Sequence, residues 1–153
     1  IEEVRRNIVL VSQDPFLFPG TIGDNLRMAN KTVSNNEIIR VIEEVGLKSF
    51  FKELPDGLET ELGENGIQLS GGEKQRLSLA QGLLQQSTIL LLDEVTSNVD
   101  MKTEIEIKET IKRLMQSKDL TVISIRHCVF TIMRRSCSRC SSSASMSLSP
   151  VEG

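Results

Sequence analysis

The chain has 153 residues, a length suited to one domain, and 39% of them are apolar, enough for a core. A net charge of −3 with 25% charged residues leaves no basic footprint for nucleic acid. No run of 18 apolar residues occurs, which excludes a membrane-spanning helix within the sequence, and the charged opening IEEVRRN is unlike a signal peptide.

The first apolar run is NIVLVS, residues 7–12, read as a buried strand. The stretch SQDPFLFPGTIGDN follows it. Gln13 lies just past the strand end, where an amide can join a Mg²⁺ shell or orient a water, or serve as an ordinary loop residue. Pro15 and Pro19-Gly20 dictate an irregular loop. Phe16, Leu17 and Phe18 are apolar where surface is expected; they mark a partner contact or pack beneath the loop. Residues 34–46 predict a helix that opens on Ser34 with Glu37 three positions on, a capping-box pattern. Ile38, Ile39, Val41, Ile42 and Val45 point inward and Gly46 ends it. LPDGLETELGENGIQ is a glycine-rich connection with a turn at Pro55-Asp56-Gly57.

LSGGEKQRLSLAQG, residues 69–82, opens a second helix, read over 73–86. A helix that starts on Ser70-Gly71-Gly72 offers bare backbone N–H groups to an anion. STILLLD, 87–93, is the second strand, and it delivers Asp93 and Glu94 at its carboxyl end. That edge of an open α/β sheet is where ligands bind. Asp93 suits Mg²⁺, and Glu94 suits polarising a water; taken alone, the pair reads first as two solvated acids at a strand end. Asp100 is an N-cap for a third helix over 101–117, with Ile107, Ile111, Leu114 and Met115 on its inner stripe. LTVISI, 120–125, is the third strand, followed by His127, the single histidine, placed to meet a phosphate oxygen or to do a purely structural job.

The three strands are near-continuous in Val, Ile and Leu and alternate with helices. That pattern predicts an α/β fold with a parallel sheet covered on both faces. After Met133 the composition shifts to Ser, Arg and Cys without apolar periodicity. Residues 134–153 are therefore read as a disordered tail. Its Cys137-x-x-Cys140 lacks a second pair or histidines and is a weak metal signal.

The order and spacing of these features resemble the nucleotide-binding domain of ABC transporters, from about Asn7 to about Ile132. In that resemblance Gln13 is the Q-loop glutamine, and Leu69-Ser70-Gly71-Gly72-Glu73 the signature motif. Ile89 to Asp93 are Walker B, Glu94 the catalytic glutamate, Ser97-Asn98-Val99-Asp100 the D-loop, and His127 the switch histidine. DPFLFPGTIGDNL, PDGLET and TELGENG are similar to the exporter type.

The resemblance implies a P-loop NTPase-like sheet with a helical subdomain at about 14–86 within a partial domain over 1–133. It also implies ATP and Mg²⁺ as cofactors. Glu94 and His127 would be catalytic. Gln13, Ser70, Gly71, Gly72, Glu73, Asp93 and Asp100 would contact the nucleotide, with Gln13 and Asp93 serving the metal. The implied partners are a second nucleotide-binding domain, head to tail, and the transmembrane domains of an exporter, with no nucleic acid. The implied location is the cytoplasmic face of a membrane.

Two departures stand out. No G-x-x-x-x-G-K-[ST] phosphate loop occurs; the nearest stretch, Gly66 to Lys74, fails in register. Arg126 and Cys128 flank His127 where the family usually has a small residue and an arginine. The chain on its own is therefore expected not to hydrolyse ATP. Two other classes fit the same motifs: part of a soluble ABC ATPase, or a non-catalytic truncated protein that lends a signature face to a complete partner.

Overall fold

The computed structural model describes residues 7–63, 67–96, 99–117, 120–126, 129–133 and 146–148. Among these, strands β1 (Ile8–Val11), β4 (Ile89–Asp93), β5 (Thr121–Arg126), β6 (Val129–Met133) and β7 (Met146–Leu148) form one sheet in the order β1-β4-β5-β6-β7. β1, β4 and β5 run parallel, with Val11 opposite Leu92 and Asp93 opposite Ile125. β6 and β7 add antiparallel. The disorder expected of 134–153 therefore does not extend to Met146–Leu148. The edge of β6 offers unpaired backbone groups, and an extended Met-Ser-Leu satisfies them.

The chain between β1 and β4 is mostly helical. A two-residue pair, β2 (Gly20–Thr21) with β3 (Glu61–Leu62), frames α1 (Ile22–Arg27), α2 (Asn35–Glu44) and α3 (Lys48–Glu53). α4 (Gly71–Leu84) and α5 (Met101–Ser117) flank β4 in sequence. Ser34 and Glu37 close the expected capping box on α2, and Gly46 stops the chain at φ +82°, a conformation that favours glycine. α5 matches its predicted bounds, and its four predicted inward residues are buried.

α4 packs tightly on the sheet. A Cβ at Gly82 would come within 3.1 Å of Leu90 and 3.2 Å of Val9, so glycine permits the close approach. Val9, Val11, Leu90, Leu92 and Val122 are buried on that face.

Two expectations are corrected. Ile39 is exposed rather than inward, because the buried stripe of α2 runs through Ile38, Val41 and Ile42. Among the described residues the sheet is covered on one face, not both: β1 alternates, with Ile8 and Leu10 exposed and Leu10 at 58%. The apolar run marks a two-sided strand, but only one side receives a helix from the described residues.

Candidate nucleotide-facing site

The parallel register sets the first part of the site. Val11 lies opposite Leu92, so Gln13 and Asp93 leave adjacent strands at the same carboxyl edge. Glu94 comes next, with φ +47°, and its N–H donates to the Ile125 carbonyl at 3.1 Å. A left-handed conformation at a residue with a Cβ costs roughly 1–3 kcal/mol and persists only when its surroundings hold it, as happens at functional sites. The bond to β5 is one such restraint. It ties the Glu94 backbone to β5 immediately after Asp93. Gln13, Asp93 and Glu94 are all half-buried.

The donor set at this edge fits Mg²⁺ of one particular kind. No group of three His, Cys, Asp or Glu side chains among the described residues is arranged to hold a metal ion. One carboxylate and one amide at a sheet edge suit an ion that keeps waters and takes its remaining oxygens from phosphates.

The second part is the start of α4. Ser70 is its N-cap, and its Oγ accepts from the Glu73 N–H at 3.3 Å. The Glu73 carboxylate folds back to accept from the Ser70 N–H at 2.7 Å. Two of the helix's orphan donors are thereby satisfied, whereas the N–H groups of Gly71 and Gly72 meet no acceptor among the described residues. Ser70 and Gly71 are exposed. The result is a pair of free donors at the positive end of a 14-residue helix, an arrangement that binds anions. Glu73, expected to contact nucleotide, is engaged in the cap.

Gly72 also has a packing reason to be glycine. A Cβ there would fall 2.6 Å from Cγ2 of Thr103 in the first turn of α5. Asp100 caps that helix: its carboxylate accepts from the N–H groups of Lys102 (3.0 Å) and Thr103 (3.1 Å) and from the Thr103 hydroxyl (2.6 Å). The Thr103 hydroxyl and then its backbone N–H hold the Asp100 carboxyl below the ordinary carboxylate range. An ion pair between Arg76 and Glu106 joins α4 to α5 further along. Asp100 therefore holds the Thr103 that packs against the first turn of α4.

The loop after Gln13 presents its apolar residues outward. Phe16 is 70% exposed and meets the half-exposed Phe18 edge to face, with centroids 4.8 Å apart. A cavity of about 460 Å³ opens beside them, lined also by Leu62, Ile67, Leu69 and Lys74. His127, Ser97 and Asn98, together with 64–66 of the TELGENG stretch, lie outside the described residues.

Sequence reasoning missed the residues that join these parts. Gln75 is 3% exposed and donates Nε2 to the Gln13 carbonyl. Asn25, 1% exposed, clasps the aromatic loop from α1. The available signal was a polar side chain on an apolar stripe, Gln75-Leu79-Gly82 at i, i+4, i+7.

Comparison with known proteins identifies the relatives of this chain. The family model for the ABC transporter matches residues 1–97. An ABC transporter B family member 2 of Dictyostelium discoideum is 40% identical over 132 residues, covering 86% of this chain and 9% of that protein. An ATP-dependent lipid A-core flippase of Albidiferax ferrireducens is 38% identical over 138 residues, covering 90% of this chain and 23% of that protein. The solved structure of a bacterial Atm1-family ABC exporter with ATP bound superposes with a TM-score of 0.71 at 37% identity, over 82% of this chain and 22% of that one. The chain thus spans between about a tenth and a quarter of the length of these relatives.

Proposed function

This chain belongs to the ABC transporter family, and on that premise we propose that it supplies the signature face, Walker B strand and Q-loop of an exporter-type ATPase domain. The observation that carries the reading is the unengaged pair of N–H groups at Gly71 and Gly72. They form half of an anion pocket. The complementary half comes from a second nucleotide-binding domain, head to tail.

Ser70 and the two glycine N–H groups bind the terminal phosphate presented by that partner. Glu94 holds and polarises the attacking water. Asp93 and Gln13 hold Mg²⁺, His127 meets the γ-phosphate, and Asp100 orders the helix beside the signature. Glu73 contributes through the cap that fixes Ser70. Bound Mg-ATP supplies the phosphoanhydride and the cation that neutralises its charge; what the protein adds is positioning. The segment at about 14–86 acts as the helical subdomain. Its aromatic loop and the adjoining cavity receive an apolar cytoplasmic loop of the transmembrane domains, which place the chain at the membrane's cytoplasmic face. Among the described residues no helix is long and apolar enough to cross a membrane.

The test is capture of the full chain by a complete, hydrolysis-deficient nucleotide-binding domain, with and without ATP. ATP-dependent capture, abolished by Ser70→Arg, is the expected result, together with no Glu94-dependent turnover by the chain alone. Capture that ignores ATP overturns the composite-pocket reading.

A further inference from the structure

Helix α4 touches the segment between β1 and α2 through two glutamines. Gln75, one turn beyond the signature glycines, donates Nε2 to the Gln13 carbonyl. Gln81, two turns further on, donates Nε2 to the Asn25 carbonyl at 3.0 Å. Asn25 spends its own side chain on the loop: Nδ2 donates to the carbonyls of Phe18 (2.9 Å) and Thr21 (3.0 Å), and Oδ1 accepts from the Phe18 N–H (2.8 Å). A continuous run of amides therefore joins the outward-facing aromatic loop to the helix whose first turn carries Gly71 and Gly72.

Gln75 is held at a cost. It is nearly fully buried, and its Oε1 has no hydrogen-bond partner among the described residues. A buried acceptor without a partner is destabilising, and an apolar side chain of the same shape avoids that penalty. The Gln75 amide is therefore poorly explained as a contribution to global stability. What it does provide is one directional bond to the backbone of Gln13, 62 residues away.

We propose that Gln75 and Gln81 are positioning residues that make the 13–25 segment and helix α4 one rigid unit, so that a displacement of Phe16 and Phe18 by a docked segment reaches the phosphate-facing N-terminus. The service to a composite ATP site rests on the function proposed above, whereas the tie itself does not. Units of this kind open together and are visible as groups of amides with a shared exchange free energy.

The test is hydrogen exchange on the full chain under native conditions, with Gln75→Met and Gln81→Met compared with the parent. Methionine keeps the length of glutamine and removes the donor. In the parent, loop amides at 16–18 and helix amides at 77–80 exchange with a common free energy. In either variant the loop amides exchange about tenfold faster while the helix amides and the denaturation midpoint hold or rise. A packing role predicts instead that methionine restores the parent pattern; that result overturns the tie, as does a parent loop that already exchanges independently. A second arm repeats the ATP-dependent capture with Gln75→Met. Weaker capture at unchanged global stability supports the positional role, and undiminished capture by the variant removes it. Failure of the parent chain to be captured sinks the composite-pocket reading and leaves the exchange result to decide the tie.

Discussion

Gly72 shows how one residue answers to two constraints. In the function proposed above, close approach of a phosphate to the backbone would favour glycine there, and so does Thr103, whose Cγ2 would meet an added Cβ at 2.6 Å. Threonine cannot rotate away cheaply, since its hydroxyl is bonded to Asp100 at 2.6 Å. Gly72→Ala is expected to lose about 1–3 kcal/mol to overpacking and regain about 1 kcal/mol in helix propensity, a net destabilisation. Thr103→Ser removes the offending methyl and keeps the hydroxyl. In that background Gly72→Ala is expected to become stabilising. Urea denaturation of the four-member cycle checks the change of sign; a loss that persists in the serine background would place the clash elsewhere.

At the scale of elements, the N-terminus of α5 depends on a charged cap. The folded Asp100 carboxyl titrates below its ordinary value of 3.8, so its contribution is fully present above that value and is lost as pH falls through the lower folded value. Asp100→Asn keeps a capping oxygen without the titration. The stability difference between parent and variant is expected to stay flat from about pH 7 to about pH 5 and to change only below about pH 4. Thermal denaturation across that range measures it, and a difference that already varies near neutrality would contradict the assignment. The same elements show what a sequence displays and what it hides. The strands are readable because dense aliphatic runs such as Ile8–Val11 and Ile89–Leu92 have few other fates, and α2 and α5 because their stripes and caps agree. α1 and α3, six residues each, are too short to show a period. The capping box on α1 pairs Thr21 with Asp24 instead of the usual glutamate or glutamine. In the site, the strand-end acids and the helix start follow from local pattern. The bond from Gln75 to Gln13 joins positions far apart in sequence, and nothing local to either announces it.

The molecule as a whole carries an apolar face that its own described helices leave open. The register aligns Leu10 with Leu91, Leu91 with Ile123, and Ile123 with Ile132, an aliphatic row across four strands. Leu10 and Ile132 are exposed, and Leu91 and Ile123 are half-buried. Among the described residues β1 also lies at the end of the strand order, so the apolar face adjoins an unpaired strand edge. Both features favour self-association. The full chain is therefore expected to scatter light as more than a monomer and to enhance the fluorescence of a hydrophobic dye. Leu10→Lys places a charge where the side chain is already mostly in water, so stability should move by no more than about 0.5 kcal/mol. The same residue type one position earlier, Val9→Lys, puts an unpaired charge into the buried face and should unfold the domain. Scattering and dye binding should both fall in Leu10→Lys at an unchanged melting temperature. If they do not, association runs through another surface, and the aromatic loop at Phe16 and Phe18 becomes the next one to change.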